Sequence, residues 1–315
     1  MNEHDQEETG TSEVSIGIRA CDGNEIILPN VLVSIGMPIR NGGKSLRYAL
    51  ESILCQDYQN LEIIISDNDS SDDTALIALE YQRRDSRIIY HQQPKFLTAL
   101  ENFRFVLDEA RGDYFMWAAH DDTRSRDYVS GLLNAMQNDA EPILIFGDLC
   151  TTCSIETKGL DEIYDFDTTN LPYIKRIRKT AQMSCNHIYG LWRTDVLRTI
   201  QFHPCTWWPD LPIMTSAAYL GKFMYVKGPK FTYLSSPKSD LERAIYQDGK
   251  YTSNKYGNLR DLIFATYKST ASVGGILIGL IAALFVAENH ARNLPGFILR
   301  KLHRAIFTRL QSKKS

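Results

Sequence analysis

Two adjacent carboxylates, Asp121 and Asp122, close an apolar run that begins at Tyr114 (YFMWAAHDDTR). An apolar run of this length reads as a buried strand, and open α/β sheets bind ligands beyond the carboxyl ends of their strands. A magnesium or manganese ion on a diphosphate takes only one or two carboxylates, with phosphate oxygens and water completing its shell. Asp121 and Asp122 suffice in kind. Neighbours on an extended chain point opposite ways, so one is expected to ligate the metal and the other to orient ribose or sugar hydroxyls. The plainer alternative is a solvated turn or a helix cap ahead of Arg126.

A second candidate phosphate site, Gly42-Gly43-Lys44-Ser45, resembles the end of a phosphate-binding loop. The full pattern GxxxxGK[ST] needs glycine at 38, where the chain has Pro38, and no GxGxxG is present. A nucleotide hydrolase of that type is therefore a lesser alternative. Cys150 and Cys153 form a CxxC pair, but Cys21, Cys55, Cys185 and Cys205 are too scattered to complete a zinc site. Reduced thiols in a cytoplasmic setting are expected.

The elements that must position these groups alternate. Val31 to Met37 is a short β-branched run ending at Pro38, followed by Asn41-Gly42-Gly43 and an apolar-faced helix over 44–56. Leu61 to Ser66 repeats the strand and ends in Asp67-Asn68-Asp69-Ser70-Ser71-Asp72-Asp73, residues suited to a turn and to capping a helix over 74–84. Strands over 88–91, 114–118 and 142–146 and helices over 96–110 and 126–138 continue the pattern. Such alternation implies an α/β fold, a mostly parallel sheet covered by helices. From 148 to 174 periodicity is lost. Asn186 to Ile200, with Gly190 and Arg193 ahead of a helix-like DVLRTI, reads as an irregular loop followed by a return to the core. A helix over 211–220 with Pro212 in its first turn puts Asp210 at its N-terminus, and short strands are expected over 222–226 and 230–234.

The chain has 315 residues, is 43% hydrophobic and carries a net charge of −3, enough for a large core and against a dedicated nucleic-acid binder. Residues 1–27 read as a polar acidic tail, 28–240 as the main domain and 241–315 as a C-terminal helical region. Within that region 271–287 is free of charge, and 297–315 holds six Lys and Arg residues and no acid. Seventeen residues are barely enough to span a bilayer, and a basic tail outside would oppose the positive-inside tendency. A helix lying in the membrane interface, a spanning helix and a packed helix are all open at this point.

In their order, VLVSIGMPIRNGGKSLRYALESILCQDYQNLEIIISDNDSSDDT, RIIYHQQ with Asn102, ARGDYFMWAAHDD, NHIYGLWRTDVL and WPDLPIMTSAAYLGKF resemble the family 2 glycosyltransferases over roughly 28–234. The resemblance implies the GT-A fold and inverting transfer of one sugar from a nucleotide-diphosphate sugar to a hydroxyl of a glycan or lipid-linked acceptor, in cell-envelope polysaccharide or glycan synthesis. It implies that Pro38, Arg40, Asn41, Asp67 and Asn68 hold the nucleotide and that Asp122, with Asp121 beside it, binds Mg2+ or Mn2+. Asp210 would be the base, and Gly190 and Arg193 would line the acceptor side. The chain departs from the family where many members carry DxDD: it has Ala119-His120-Asp121-Asp122, and His120 is expected not to ligate the metal, since hard ions prefer oxygen. The QxxRW motif of processive synthases is absent. The alternative of another class is a non-catalytic sugar-nucleotide-binding scaffold at a membrane. The expected location is the cytoplasm, at the inner membrane face if 271–315 contacts lipid.

Overall fold

Alternation of side chains along three adjacent strands dictates a sheet buried on both sides. Val33, Ile35 and Met37 of β3 (Val33–Ile39), Ile63 and Ile65 of β4 (Leu61–Asp67) and Met116 of β6 (Tyr114–Trp117) share one core. Ile64, Phe115 and Trp117, on the intervening positions, share the other. The computed structural model describes residues 15–19, 25–43, 45–136, 141–152, 160–162, 166–182, 185–205, 208–234 and 255–290.

The helices divide between the two faces. Apolar stripes of α1 (Ser45–Leu54), α2 (Thr74–Arg84) and α4 (Tyr128–Met136) join the first core, while α3 (Ala99–Glu109), α5 (Tyr173–Thr180) and α7 (Asp210–Leu220) join the second. The helix α3 starts at a complete capping box, Thr98 Oγ1 accepting from the Glu101 amide and Glu101 accepting from the Thr98 amide.

The sheet order is β5-β4-β3-β6-β10-β8-β11-β7, with β5 (Ile88–Gln92), β7 (Thr123–Arg124), β8 (Leu144–Thr152), β10 (Leu191–Arg193) and β11 (Phe223–Leu234); β9 (Leu160–Glu162) pairs with β8. Strands β5, β4, β3 and β6 are mutually parallel, and β11 runs parallel to β8. The three-residue β10 runs antiparallel to both of its neighbours. The architecture is thus the expected mixed α/β sheet with helices on both faces and a C-terminal helical segment.

Four local expectations change. The segment read as an irregular loop around Arg193 supplies a central strand, β10, ahead of the helix-like DVLRTI, which forms the short helix α6 (Thr194–Thr199) as expected. The two short strands expected over 222–234 are one strand, β11, whose register on β8 shifts between Tyr225 and Lys230. Strand β8 continues six residues past Phe146, into the stretch read as aperiodic. Within the expected N-terminal tail, β1 (Ser15–Arg19) and β2 (Glu25–Pro29) form an antiparallel hairpin. Residues 1–14, Cys21, Cys153, Trp207 and the basic segment 297–315 lie outside the described residues.

The apolar C-terminal run does not form one rod. In α8 (Lys255–His290) Gly275 has φ 79° and ψ 174°, a conformation that interrupts a helix. The second half folds back on the first: a side chain at Gly279 would touch Ala271 Cβ and the Tyr267 carbonyl at 2.7 Å, atoms about 12 Å or more away on a straight helix. Leu259 and Leu262 accordingly share a buried cluster with Ala283, Val286, Ala287 and Leu211 of α7. As a string, 259–290 is long and apolar enough to cross a membrane. As folded, 276–290 reaches about 22 Å, short of the roughly 30 Å hydrocarbon core, and one face of each half is covered by protein.

Candidate active site

The cleft is built at the carboxyl ends of β3, β4 and β6. The chain leaves β3 through Arg40 and Asn41, and Asn41 takes a left-handed φ of 52°. That strain is held by the turn after β4: the Asn41 amide donates to Ser70 Oγ at 2.9 Å, and its side-chain oxygen accepts from the Ser71 amide at 2.9 Å. The amides of Gly42 and Gly43 donate to Thr74 Oγ1 at 2.9 and 3.2 Å. They are turned onto the first residue of α2, not presented to a phosphate, which removes the geometric basis for a phosphate-binding loop here.

Asp67 and Asn68 act differently from expectation. The Asp67 carboxylate is fully buried and accepts from the Ser70 amide at 3.0 Å and the Tyr90 hydroxyl at 2.8 Å. Burial and the adjacent carboxylate push the Tyr90 hydroxyl well above the usual tyrosine range, so it stays a donor. Asn68 clamps the Leu97 backbone, donating to its carbonyl at 2.8 Å and accepting from its amide at 2.7 Å. Expected to hold base and ribose directly, both residues instead brace the walls of the cleft. Ser66, Gln93 and Asn102 extend the bracing through a buried network in which Ser66 Oγ donates to Asn102 Oδ1 at 2.5 Å and accepts from Gln93 Nε2 at 2.8 Å.

Arg40 was expected at the nucleotide, and the structure adds a partner that the sequence did not signal. Its guanidinium lies 4.5 Å from the ring centre of Phe96, and its Nε is buried with no hydrogen-bond partner among the described residues. Phe96 is exposed, in the loop that enters α3.

The Asp121-Asp122 turn is anchored on both sides. Trp117, the last residue of β6, is fully buried edge-on against Phe115 and Trp192, with its indole N–H donated to the Phe103 carbonyl at 3.2 Å. The buried Arg124 reaches back to donate Nη2 to the Trp117 carbonyl at 2.6 Å, its guanidinium lying between the rings of Tyr128 and Phe231. Burial lowers the pKa of Arg124, and the Asp122 carboxylate opposes that shift. Asp122 is itself buried and accepts from the Leu234 amide at 3.1 Å, tying the turn to the end of β11, while Asp121 is partly open to solvent.

His120, in the neighbourhood of the missing acid, is a brace. Ser45 Oγ donates to the Gly42 carbonyl at 2.7 Å, so at 2.9 Å from His120 Nδ1 it accepts the imidazole N–H. The turn is thereby fastened to the N-terminus of α1.

Asp210 opens α7 as its first helical residue. Pro209 occupies the cap position, and no side-chain capping bond is made. No hydrogen bond to the Asp210 carboxylate occurs among the described residues, and burial pushes its pKa up to about 6. A carboxylate so placed is a competent proton acceptor near neutral pH, which a capping role does not explain.

Gly190 and Arg193, expected on one acceptor wall, separate. Gly190 lies one residue before β10, toward the cleft end of the sheet, where a side chain would collide with the Ile145 carbonyl. Arg193 pairs with Tyr114 at the opposite end of β6 and lies 3.9 Å from Asp195. It borders a groove of about 480 Å³ with Glu141, Arg176 and Lys222 on the far side of the sheet. Antiparallel travel along β10 carries the chain away from the cleft, and the acceptor assignment of Arg193 is withdrawn.

Residues 34–186 match the family model described as Glycosyl transferase family 2. The core of this chain belongs to glycosyl transferase family 2. A GalNAc(5)-diNAcBac-PP-undecaprenol beta-1,3-glucosyltransferase of Campylobacter jejuni is 32% identical over 130 residues, 40% of this chain and 40% of that protein. An uncharacterized glycosyltransferase of Rickettsia typhi is 30% identical over 116 residues, 36% of this chain and 35% of that protein, so the alignment spans about a third of that relative. The fold is similar to the GT-A type transferase TarS of S. aureus, solved with UDP-GlcNAc, at a TM-score of 0.62 and 15% identity over 83% of this chain and 73% of that one. Glycosyl transfer is the reaction class of the domain.

Among the described residues no three His, Cys, Asp or Glu side chains converge as a metal cage. A divalent ion that arrives on a diphosphate needs only one or two protein carboxylates, and of this pair Asp121 is the one open to solvent while Asp122 is buried.

Proposed function

We propose that this protein transfers a single sugar from a nucleotide-diphosphate sugar to an acceptor hydroxyl with inversion at the anomeric carbon. The observation that carries the reading is the Asp210 carboxylate, raised to about 6 at the head of α7 with no hydrogen-bond partner among the described residues, in a chain whose residues 34–186 match the family 2 model. The nucleotide would lie in the cleft shaped by Pro38, Arg40, Asn41 and the turn that Asp67 and Asn68 brace. Asp122, with Asp121 on the open side of the turn, would hold Mg2+ or Mn2+; when bound, that ion neutralises charge developing on the diphosphate.

Asp210 accepts the proton of the acceptor hydroxyl as its oxygen bonds to the anomeric carbon. The bond from that carbon to the diphosphate oxygen breaks, and its electron pair leaves with the nucleoside diphosphate. Attack and departure on opposite faces give inversion. In a nucleotide-sugar panel with manganese, Asp210→Asn should keep donor affinity within about twofold and lose transfer by about 100-fold or more. Asp122→Asn should instead lose metal-dependent donor binding. Near-normal transfer by Asp210→Asn would overturn the base assignment.

The same reading places the enzyme in cell-envelope glycan synthesis at the cytoplasmic face of a membrane. It is supported by the exposed Ile276 and Leu277 at the turn of the α8 hairpin and by the run of basic residues after 297.

A further inference from the structure

Trp208 combines three features that are seldom found together. Its backbone is left-handed at φ 41°, a state that is costly for a bulky residue and persists only where surrounding structure enforces it. Its side chain is 52% exposed, although a large aromatic is ordinarily buried. And it is not loose: the His290 ring, at the end of the α8 hairpin, meets it edge-on with centroids 4.5 Å apart and planes at 76°.

His290 is in turn fixed, its Nδ1 donating to the Val286 carbonyl at 3.1 Å, while Asn289 beside it donates to the Ala181 carbonyl at 3.1 Å. The Trp208 carbonyl accepts from the Leu211 amide at 2.9 Å, which locks the turn to the first residues of α7. Two residues after Trp208 comes Asp210. A strained, braced and solvent-facing indole thus stands next to the proton acceptor.

An indole offers a flat, electron-rich face with low conformational entropy to lose, and one face of a pyranose ring presents C–H groups that stack on such a surface. We propose that Trp208 is the platform on which the acceptor's pyranose ring stacks, which makes the acceptor a carbohydrate rather than a simple alcohol or a protein side chain. The platform sets how far the attacking hydroxyl stands from Asp210. This assignment rests on the reading of Asp210 as the base, and its test is separable from that reading.

The test uses the full chain and methyl pyranosides of glucose, galactose and N-acetylglucosamine as probes. In a Trp207→Phe background, tryptophan emission should change saturably with at least one of them, and Trp208→Leu should abolish the change. With the donor found in the nucleotide-sugar panel, Trp208→Leu should raise the acceptor KM at least tenfold. Donor hydrolysis and melting temperature should stay as in the parent, and Trp208→Phe should recover most of the loss.

Asp210→Asn should keep the emission change while losing transfer. If it kept transfer, the base reading would fail while the emission test of the platform stood. The platform itself is overturned if no pyranoside gives a saturable change, if Trp208→Leu leaves acceptor KM unaltered, or if Trp208→Phe is as impaired as Trp208→Leu. Should Trp208→Leu fail to fold, Trp208→Phe decides: it should lose the emission change together with the indole and keep an acceptor KM near the parent's, and an emission change that persists in Trp208→Phe would overturn the platform.

Discussion

At the residue scale, Asp210 trades stability for chemistry. Its carboxyl has a folded pKa of about 6 against an ordinary 3.8 because burial penalises the charged form. A carboxylate whose pKa rises on folding holds its proton more tightly in the native state, so its contribution to stability is present below about 4 and is lost as pH rises through 6. Replacing it by asparagine removes that loss. We expect Asp210→Asn to be more stable than the parent at pH 7.5, by on the order of 1–3 kcal/mol in urea unfolding, with no gain at pH 4. Transfer by the parent should rise with pH through about 6. A flat rate from pH 5 to 7 would separate Asp210 from the chemistry. The type of this residue and its place before an apolar helix were legible in the sequence; its raised pKa was not, because that depends on what α7 is packed against.

At the element scale, the informative unit is the break in α8. Composition alone left 271–287 open among a spanning, an interfacial and a packed helix. Gly275 decides, since its φ of 79° is one that only glycine adopts without strain. The close approach of Gly279 to Ala271 then allows the halves to lie together. Hydroxyls close the join to α7: Ser216 Oγ donates to the Pro212 carbonyl and approaches Ser269 Oγ at 2.9 Å, and Ser269 donates to the Gln201 carbonyl at 2.7 Å. We expect Gly275→Ala to cost about 1–3 kcal/mol in denaturant unfolding and to lower transfer, because the hairpin carries His290 and supports α7. A variant as stable as the parent would argue against the hairpin. β10 illustrates the opposite difficulty: three residues, LWR, have too short a period to read, and only their two neighbours make them a strand.

For the whole molecule, the hairpin joins two features that the sequence kept apart, the helix that opens with Asp210 and the exposed apolar pair Ile276 and Leu277. Gly274, next to the turn, approaches Tyr219 at the end of α7 remote from Asp210, so the exposed Ile276 and Leu277 follow at that end of the helix. We expect the full chain to float with vesicles containing anionic lipid, and Ile276→Ser with Leu277→Ser to reduce that binding at least fivefold without changing solution transfer to a soluble acceptor. Equal flotation of parent and variant would remove the tip from the membrane contact.

By itself the sequence determined the alternation of strands and helices and the family, and it singled out Asp121, Asp122 and Asp210 as candidates, because periodicity and carboxylate placement are local properties of the chain. Only the tertiary structure decided that Asp67 and Asn68 are braces, that Arg193 belongs to the far side of the sheet, that the Gly42-Gly43 amides are engaged by Thr74, and that a run apolar enough to span a bilayer folds back on itself. Each of these depends on which groups distant in sequence come within hydrogen-bond or van der Waals reach, and that is set by strand order and packing, not by spacing along the chain.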